Sequence, residues 1–162
     1  MVKTPVQSLT ETVGHLLRAR KLKLAAAESC TGGWLAKLVT DIAGSSTWFE
    51  RGFVTYSNEA KMELLGVRVE TLQAHGAVSE ETVREMAAGA LAHSRADVAV
   101  AITGIAGPNG GTAAKPIGTV WIAWTRRDAR MLSAHYLFNG DRGRIRRAAV
   151  VEALQGLIRF VR

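Results

Sequence analysis

The stretch that most narrows the choice of fold is Asp97-Val98-Ala99-Val100-Ala101-Ile102-Thr103. A nearly continuous apolar run of this length is the pattern of a strand covered on both faces. It leads straight into Gly104-Ile105-Ala106-Gly107-Pro108-Asn109-Gly110-Gly111, with four glycines in eight residues. Open α/β sheets hold their ligands at the carboxyl ends of such strands, so this loop reads as a binding loop in preference to a plain connection.

The neighbouring segments supply the rest of an α/β fold. Leu22 to Ala27 reads as a second buried strand, because its small residues permit close helix packing. Phe53 to Tyr56 reads as another. Gly118 to Thr125 and Met131 to Phe138 flank Arg126-Arg127-Asp128-Ala129 and form an antiparallel hairpin. Helices are signalled by caps followed by apolar stripes. Thr4, Pro5 and Gln7 make a capping box ahead of Val6, Leu9, Val13, Leu16 and Leu17. Asn58 caps a helix through Leu64, Ser79 opens another with Glu80 and Glu81, and Asp141 starts the last, with Val150, Leu154, Leu157 and Val161 inward.

Composition sets the outer bounds. A chain of 162 residues, 48% hydrophobic and 22% charged, fits one soluble domain over residues 1–162. No apolar run approaches the roughly 18 residues of a membrane span, and the N-terminus lacks the apolar core of a signal peptide, so the expected location is the cytoplasm. Cys30 is the only cysteine and the four histidines stand far apart, which leaves no ligand spacing for a metal. The net charge of +7 is concentrated at the C-terminus, where nine arginines follow Thr125 against Asp128, Asp141 and Glu152. A solvated face or an anionic partner accounts for it.

Three groups of residues could carry chemistry. The first is Glu28-Ser29-Cys30-Thr31-Gly32-Gly33, a small-residue corner between a strand and a helix. It places a hydroxyl, a thiol and backbone N–H groups at a helix N-terminus, where a carbonyl or anion is stabilised. Ser29 or Thr31 is either the helix cap or, for Ser29, a nucleophile; Cys30 is a competing nucleophile or a buried thiol. The second group is Tyr56 and Lys61. A lysine in the first turn of a helix feels an unfavourable dipole that lowers its pKa, which suits a general base and equally an ordinary structural lysine. The third is Arg142 and Arg146, which continue the inward stripe of the last helix backwards in steps of four. There they either contact phosphate or pair with neighbours such as Glu28.

Four blocks in order extend this reading: Ala27 to Gly33, Val54-Thr55-Tyr56-Ser57-Asn58-Glu59-Ala60-Lys61, Thr103 to Gly111, and Asn139-Gly140-Asp141-Arg142. Together they resemble the CinA C-terminal domain family, the nicotinamide-nucleotide amidohydrolases, across nearly the whole chain. The resemblance implies a three-layer α/β/α sandwich with a mixed sheet of about five or six strands. It also implies hydrolysis of nicotinamide mononucleotide to nicotinate mononucleotide and ammonia in NAD salvage, with Ser29 as nucleophile assisted by Tyr56 and Lys61. Substrate binding is expected from Glu28, Cys30, Thr31, Gly32, Thr103, Gly104, Ile105, Ala106, Gly107, Gly111, Arg142 and Arg146. No metal or cofactor is expected. The partner is a small pyridine nucleotide, with neither membrane nor nucleic acid, and the chain is expected to form a homo-oligomer. A nucleotide-binding or regulatory module without catalysis is the alternative.

Overall fold

Thr4 opens the described part of the chain, residues 4–162 of a computed structural model. Met1 to Lys3, part of the segment read above for a leader, lie outside the described residues. The capping box forms as the spacing predicts: the Thr4 hydroxyl accepts from the Gln7 N–H, and the Gln7 side chain accepts from the Thr4 N–H. Helix α1 (Pro5–Ala19) is followed by β1 (Leu24–Glu28), α2 (Trp34–Thr40), a 3-10 turn (Ser45–Thr47) and β2 (Phe49–Val54). Three helices come next, α3 (Asn58–Leu65), α4 (Val69–His75) and α5 (Glu80–Ala92). Strands β3 (Val98–Gly104), β4 (Thr119–Arg126) and β5 (Met131–Leu137) precede α6 (Arg142–Val161).

The sheet has five strands in the order β2-β1-β3-β4-β5. β2, β1 and β3 run parallel, and the β4–β5 hairpin adds antiparallel strands, so the sheet is mixed. Successive side chains of a strand point to opposite faces. Leu24 and Ala26 of β1, Val98, Val100 and Ile102 of β3, and Ile122 and Trp124 of β4 therefore meet α1, α2 and α6 on one side. Ala25, Ala27, Ala99, Ala101 and Ala123 point the other way, toward Leu65, Val83, Met86 and Ala87 of the α3–α5 layer. The result is the three-layer α/β/α sandwich.

The two faces of the sheet differ in side-chain size, as the sequence shows. The buried hydrophobic strand positions facing α5 are all alanine, with Phe53 and Trp121 at the margins, so that helix settles close to the sheet. Small residues continue outward: a Cβ built on Gly89 of α5 would lie 1.9 Å from the Leu65 carbonyl oxygen of α3. The opposite face carries large side chains that interlock with α6. Trp124 lies over Gly156, where an added Cβ would come within 2.0 Å of the indole, and its Nε1–H donates to the Ala153 carbonyl at 3.0 Å. Gly156→Ala is expected to cost about 1–3 kcal/mol through overpacking, read as a lower midpoint in urea unfolding at unchanged slope.

Two local expectations are corrected. The second strand is Phe49–Val54, not Phe53 to Tyr56. It is a sheet edge carrying Glu50, Arg51 and Gly52, so it lacks the apolar pattern of a covered strand, and Tyr56 lies beyond its end. The cap of α3 is Ser57, whose Oγ accepts from the Ala60 N–H at 3.0 Å, and Asn58 is the first helical residue. The C-terminal arginines are partly internal braces. Arg127 donates to the carbonyls of Leu91, Ser94 and Ala96, and Arg159 faces Glu152 at 3.6 Å. Among the described residues no helix is long and apolar enough to cross a membrane.

Candidate active site

The chain leaves β1 toward β2 and leaves β3 toward β4, in opposite directions across the sheet. The carboxyl ends of β1 and β3 therefore border the topological switch point of an open α/β sheet. A cavity of about 270 Å3 lies there, lined by residues that include Ser29 after β1, Thr103 and Gly104 at the end of β3, and Lys61 of α3.

Ser29 is tied to the sheet by its N–H, which donates to the Ile102 carbonyl at 3.0 Å. Its hydroxyl lies 3.0 Å from Lys61 Nζ. Lys61 is 1% exposed, and its amine also donates to the carbonyls of Thr55 at 2.8 Å and Tyr56 at 3.3 Å. Burial holds the Lys61 pKa below its ordinary 10.5, opposed in part by the neighbouring Cys30 sulfur. Cys30 also lines the cavity, but burial pushes its thiol up to about 11, so it stays protonated near neutral pH and is a poor nucleophile.

The mouth is framed by Tyr56 and Arg142. The Arg142 guanidinium donates through Nη1 to the Gly107 carbonyl at 2.7 Å and through Nη2 to the Tyr56 hydroxyl at 3.1 Å. Tyr56 therefore meets Lys61 through its carbonyl and Arg142 through its phenol. Of the glycine loop, Gly104, Ile105, Ala106, Gly107, Asn109 and Gly110 line the cavity, whereas Gly111 does not. Thr103 lines it too, its hydroxyl held by the Ala77 carbonyl at 2.8 Å. Ala77 and Val78, which complete the wall, were missed because an Ala-Val pair ahead of a helix cap carries no chemical signal; only the turn glycine Gly76 hinted at a chain reversal there.

Glu28, Thr31, Gly32 and Arg146 do not line this cavity. The Glu28 carboxylate is buried and accepts from Thr31 Oγ1 at 2.6 Å and from the N–H groups of Gly33, Leu35 and Ala36 at 3.2, 3.1 and 2.9 Å. The N-terminus of α2 is thus occupied by the chain's own carboxylate and is not open to a ligand anion. The cap position is Gly33, at φ +94°, so neither Ser29 nor Thr31 is the N-cap. A buried carboxylate must find donors, and the helix that starts a few residues after β1 supplies them. Arg146 turns to the same corner, donating to the carbonyls of Cys30 at 2.9 Å and Thr31 at 3.1 Å. Among the described residues no group of three His, Cys, Asp or Glu side chains could hold a metal ion.

A buried lysine against a serine hydroxyl, at the switch point of a three-layer sandwich, defines a class of small α/β proteins with a polar cavity at the carboxyl edge of the sheet. Within it, residues 6–161 match the CinA C-terminal domain, and the chain belongs to that family. The Escherichia coli K12 protein named nicotinamide-nucleotide amidohydrolase PncC is 57% identical over 157 residues, covering 97% of this chain and 95% of the relative. A protein of the same name from Pseudomonas putida is 47% identical, covering 96% and 97%. Among solved structures, competence/damage inducible protein CihA from Agrobacterium tumefaciens superposes with a TM-score of 0.96 at 44% identity, over 100% of this chain and 99% of that one. A CinA superfamily protein from Klebsiella pneumoniae gives 0.93 at 42% identity, over 98% of each.

Proposed function

We propose that this chain hydrolyses the carboxamide of nicotinamide mononucleotide to nicotinate mononucleotide and ammonia, returning pyridine nucleotide to NAD synthesis. The observation that carries the reading is the 3.0 Å approach of buried Lys61 Nζ to Ser29 Oγ on the cavity wall, in a chain so similar to proteins named for this activity.

A neutral amine has two N–H groups and one lone pair. The carbonyls of Thr55 and Tyr56 take the two N–H groups, which leaves the lone pair for the Ser29 hydroxyl proton. Ser29 Oγ attacks the carboxamide carbon as Lys61 accepts that proton. The N–H of Cys30 follows the nucleophile directly in the chain and serves as an oxyanion donor. Lys61 then protonates the departing nitrogen, ammonia leaves, and an ester links the acyl group to Ser29. Water, losing a proton to Lys61, attacks the ester; the nicotinate product leaves and Ser29 recovers its proton. Arg142 holds the 5′-phosphate with the donors its protein contacts leave free, while Tyr56 orients it through the phenol.

Ammonia release from nicotinamide mononucleotide is the direct assay. Its absence, with nucleotide still bound, supports a non-catalytic module instead. Arg142→Ala is expected to raise KM for the mononucleotide by about tenfold to a hundredfold, the worth of a charge-assisted contact, and to change KM for the phosphate-free riboside far less. Equal effects on both would remove Arg142 from phosphate binding.

A further inference from the structure

Ser29 stands in a turn gripped from two sides by charged groups that never reach the cavity. Glu28 collects four donors from the N–H side. Arg146 takes two consecutive carbonyls from the other side and lies over the Trp34 ring at 5.4 Å. We infer that Glu28 and Arg146 are positioning residues that clamp the Ser29 turn in its reactive shape; this rests on the amide-hydrolysis reading above.

The need for a clamp is written in the turn. Gly32 and Gly33 both lie at positive φ, +59° and +94°, and two adjacent glycines give this segment many alternative conformations. A nucleophile carried on such a segment would wander, and misplacement by about 1 Å costs a reaction on the order of a hundredfold. Each contact removes one freedom. Glu28 fixes the distance between the end of β1 and the start of α2, the two ends of the turn. Arg146 fixes peptide planes within it: a trans peptide points its C=O and the following N–H in opposite directions, so holding the Cys30 carbonyl also sets the Thr31 N–H. The Ser29 carbonyl, held by the Gly32 N–H at 3.0 Å, sets the Cys30 N–H in the same way. Arg146 thus stabilises a turn whose geometry aims an oxyanion donor as well as the nucleophile. Its planar fork reaches two carbonyls at once, which a lysine ammonium on a flexible stem does not reproduce.

The test compares wild type with Glu28→Gln and Arg146→Lys on nicotinamide mononucleotide and on nicotinamide riboside, with the rate of Ser29 labelling by a fluorophosphonate probe measured alongside. Glutamine replaces one acceptor oxygen with an NH2 that opposes the backbone donors. Both variants are expected to lose about tenfold or more in kcat on both amides alike, with KM nearly constant and labelling slowed in parallel. A loss in Arg146→Lys confined to KM for the phosphorylated substrate would make Arg146 a phosphate ligand and overturn the inference. Unchanged kcat and labelling would overturn it as well. Arg146 is only half-buried, so its lysine variant keeps the test open if Glu28→Gln fails to fold. The labelling rate reads the turn without the natural substrate, so a wild type that released no ammonia would defeat the amidase reading and leave the clamp measurable.

Discussion

Ser29→Ala is expected to abolish ammonia release, by about a thousandfold or more in kcat, while leaving thermal unfolding and nucleotide affinity close to wild type. The asymmetry follows from the site. The Ser29 side chain contributes a hydroxyl at the edge of the cavity, and its link to the sheet is its backbone N–H, which alanine keeps. What alanine removes is the atom that forms the acyl bond. Rapid acid quench of wild type during turnover should trap acyl-Ser29 as a mass increment on the peptide that contains it, and the variant should show none. Turnover near the wild-type rate would end the nucleophile assignment and leave Ser29 as a scaffold residue.

Lys61→Arg is expected to be nearly as damaging, for a different reason. Arginine keeps a cation and donors but cannot give up its proton near neutral pH, so it cannot accept one from Ser29. In wild type the active form is the neutral amine. Activity should therefore rise with pH through the native Lys61 pKa, which lies below 10.5, and level off above it. The other charged or titrating groups on this cavity wall are the Cys30 thiol beside the amine, the Tyr56 phenol and Arg142. The N-glycosylated pyridine ring is itself a cation, so bound substrate pushes Lys61 further toward neutrality, and kcat should level off at a lower pH than kcat/KM. Stability carries the same sign. Between the lowered native pKa and 10.5 the unfolded chain holds a proton that the native state does not, so unfolding free energy rises with pH across that window. Lys61→Met should flatten that slope in urea titrations. A pH–rate profile unchanged in Lys61→Arg would make the lysine a binding group.

How far the sequence disclosed these features depended on whether their signal was local. Caps and stripes are local, and Thr4, Ser79 and Asp141 cap where spacing placed them. The run from Asp97 to Thr103 announced a covered central strand, and β3 is buried along nearly its whole length. Edge strand β2 was hard to place, because half of it faces solvent and its register is set by pairing with β1. Within the site, the four blocks selected Ser29, Lys61 and the glycine loop, and the fold brings these together. Glu28, from the first block, and Arg146, from the inward stripe of the last helix, do not line the cavity. Their direction depends on which donors and carbonyls the finished turn leaves unmatched, a question that exists only once β1, α2 and α6 are packed. Val78 shows the opposite limit: it is a wall by position alone.

The alanine face of the sheet acquires another meaning from the position of Lys61. Nucleophile and base stand on different elements, Ser29 at the end of β1 and Lys61 on α3, and α3 leans on α5, which leans on Ala25, Ala27, Ala99 and Ala101. This stack of small residues, with Gly89 at its outer contact, works as a gauge block that sets the Ser29–Lys61 spacing. A methyl group added at Gly89 would stand 1.9 Å from the Leu65 carbonyl oxygen, so α3, and with it the base, must move to admit it. The tolerance of the reaction is therefore distributed through the interior, in residues that never see the substrate.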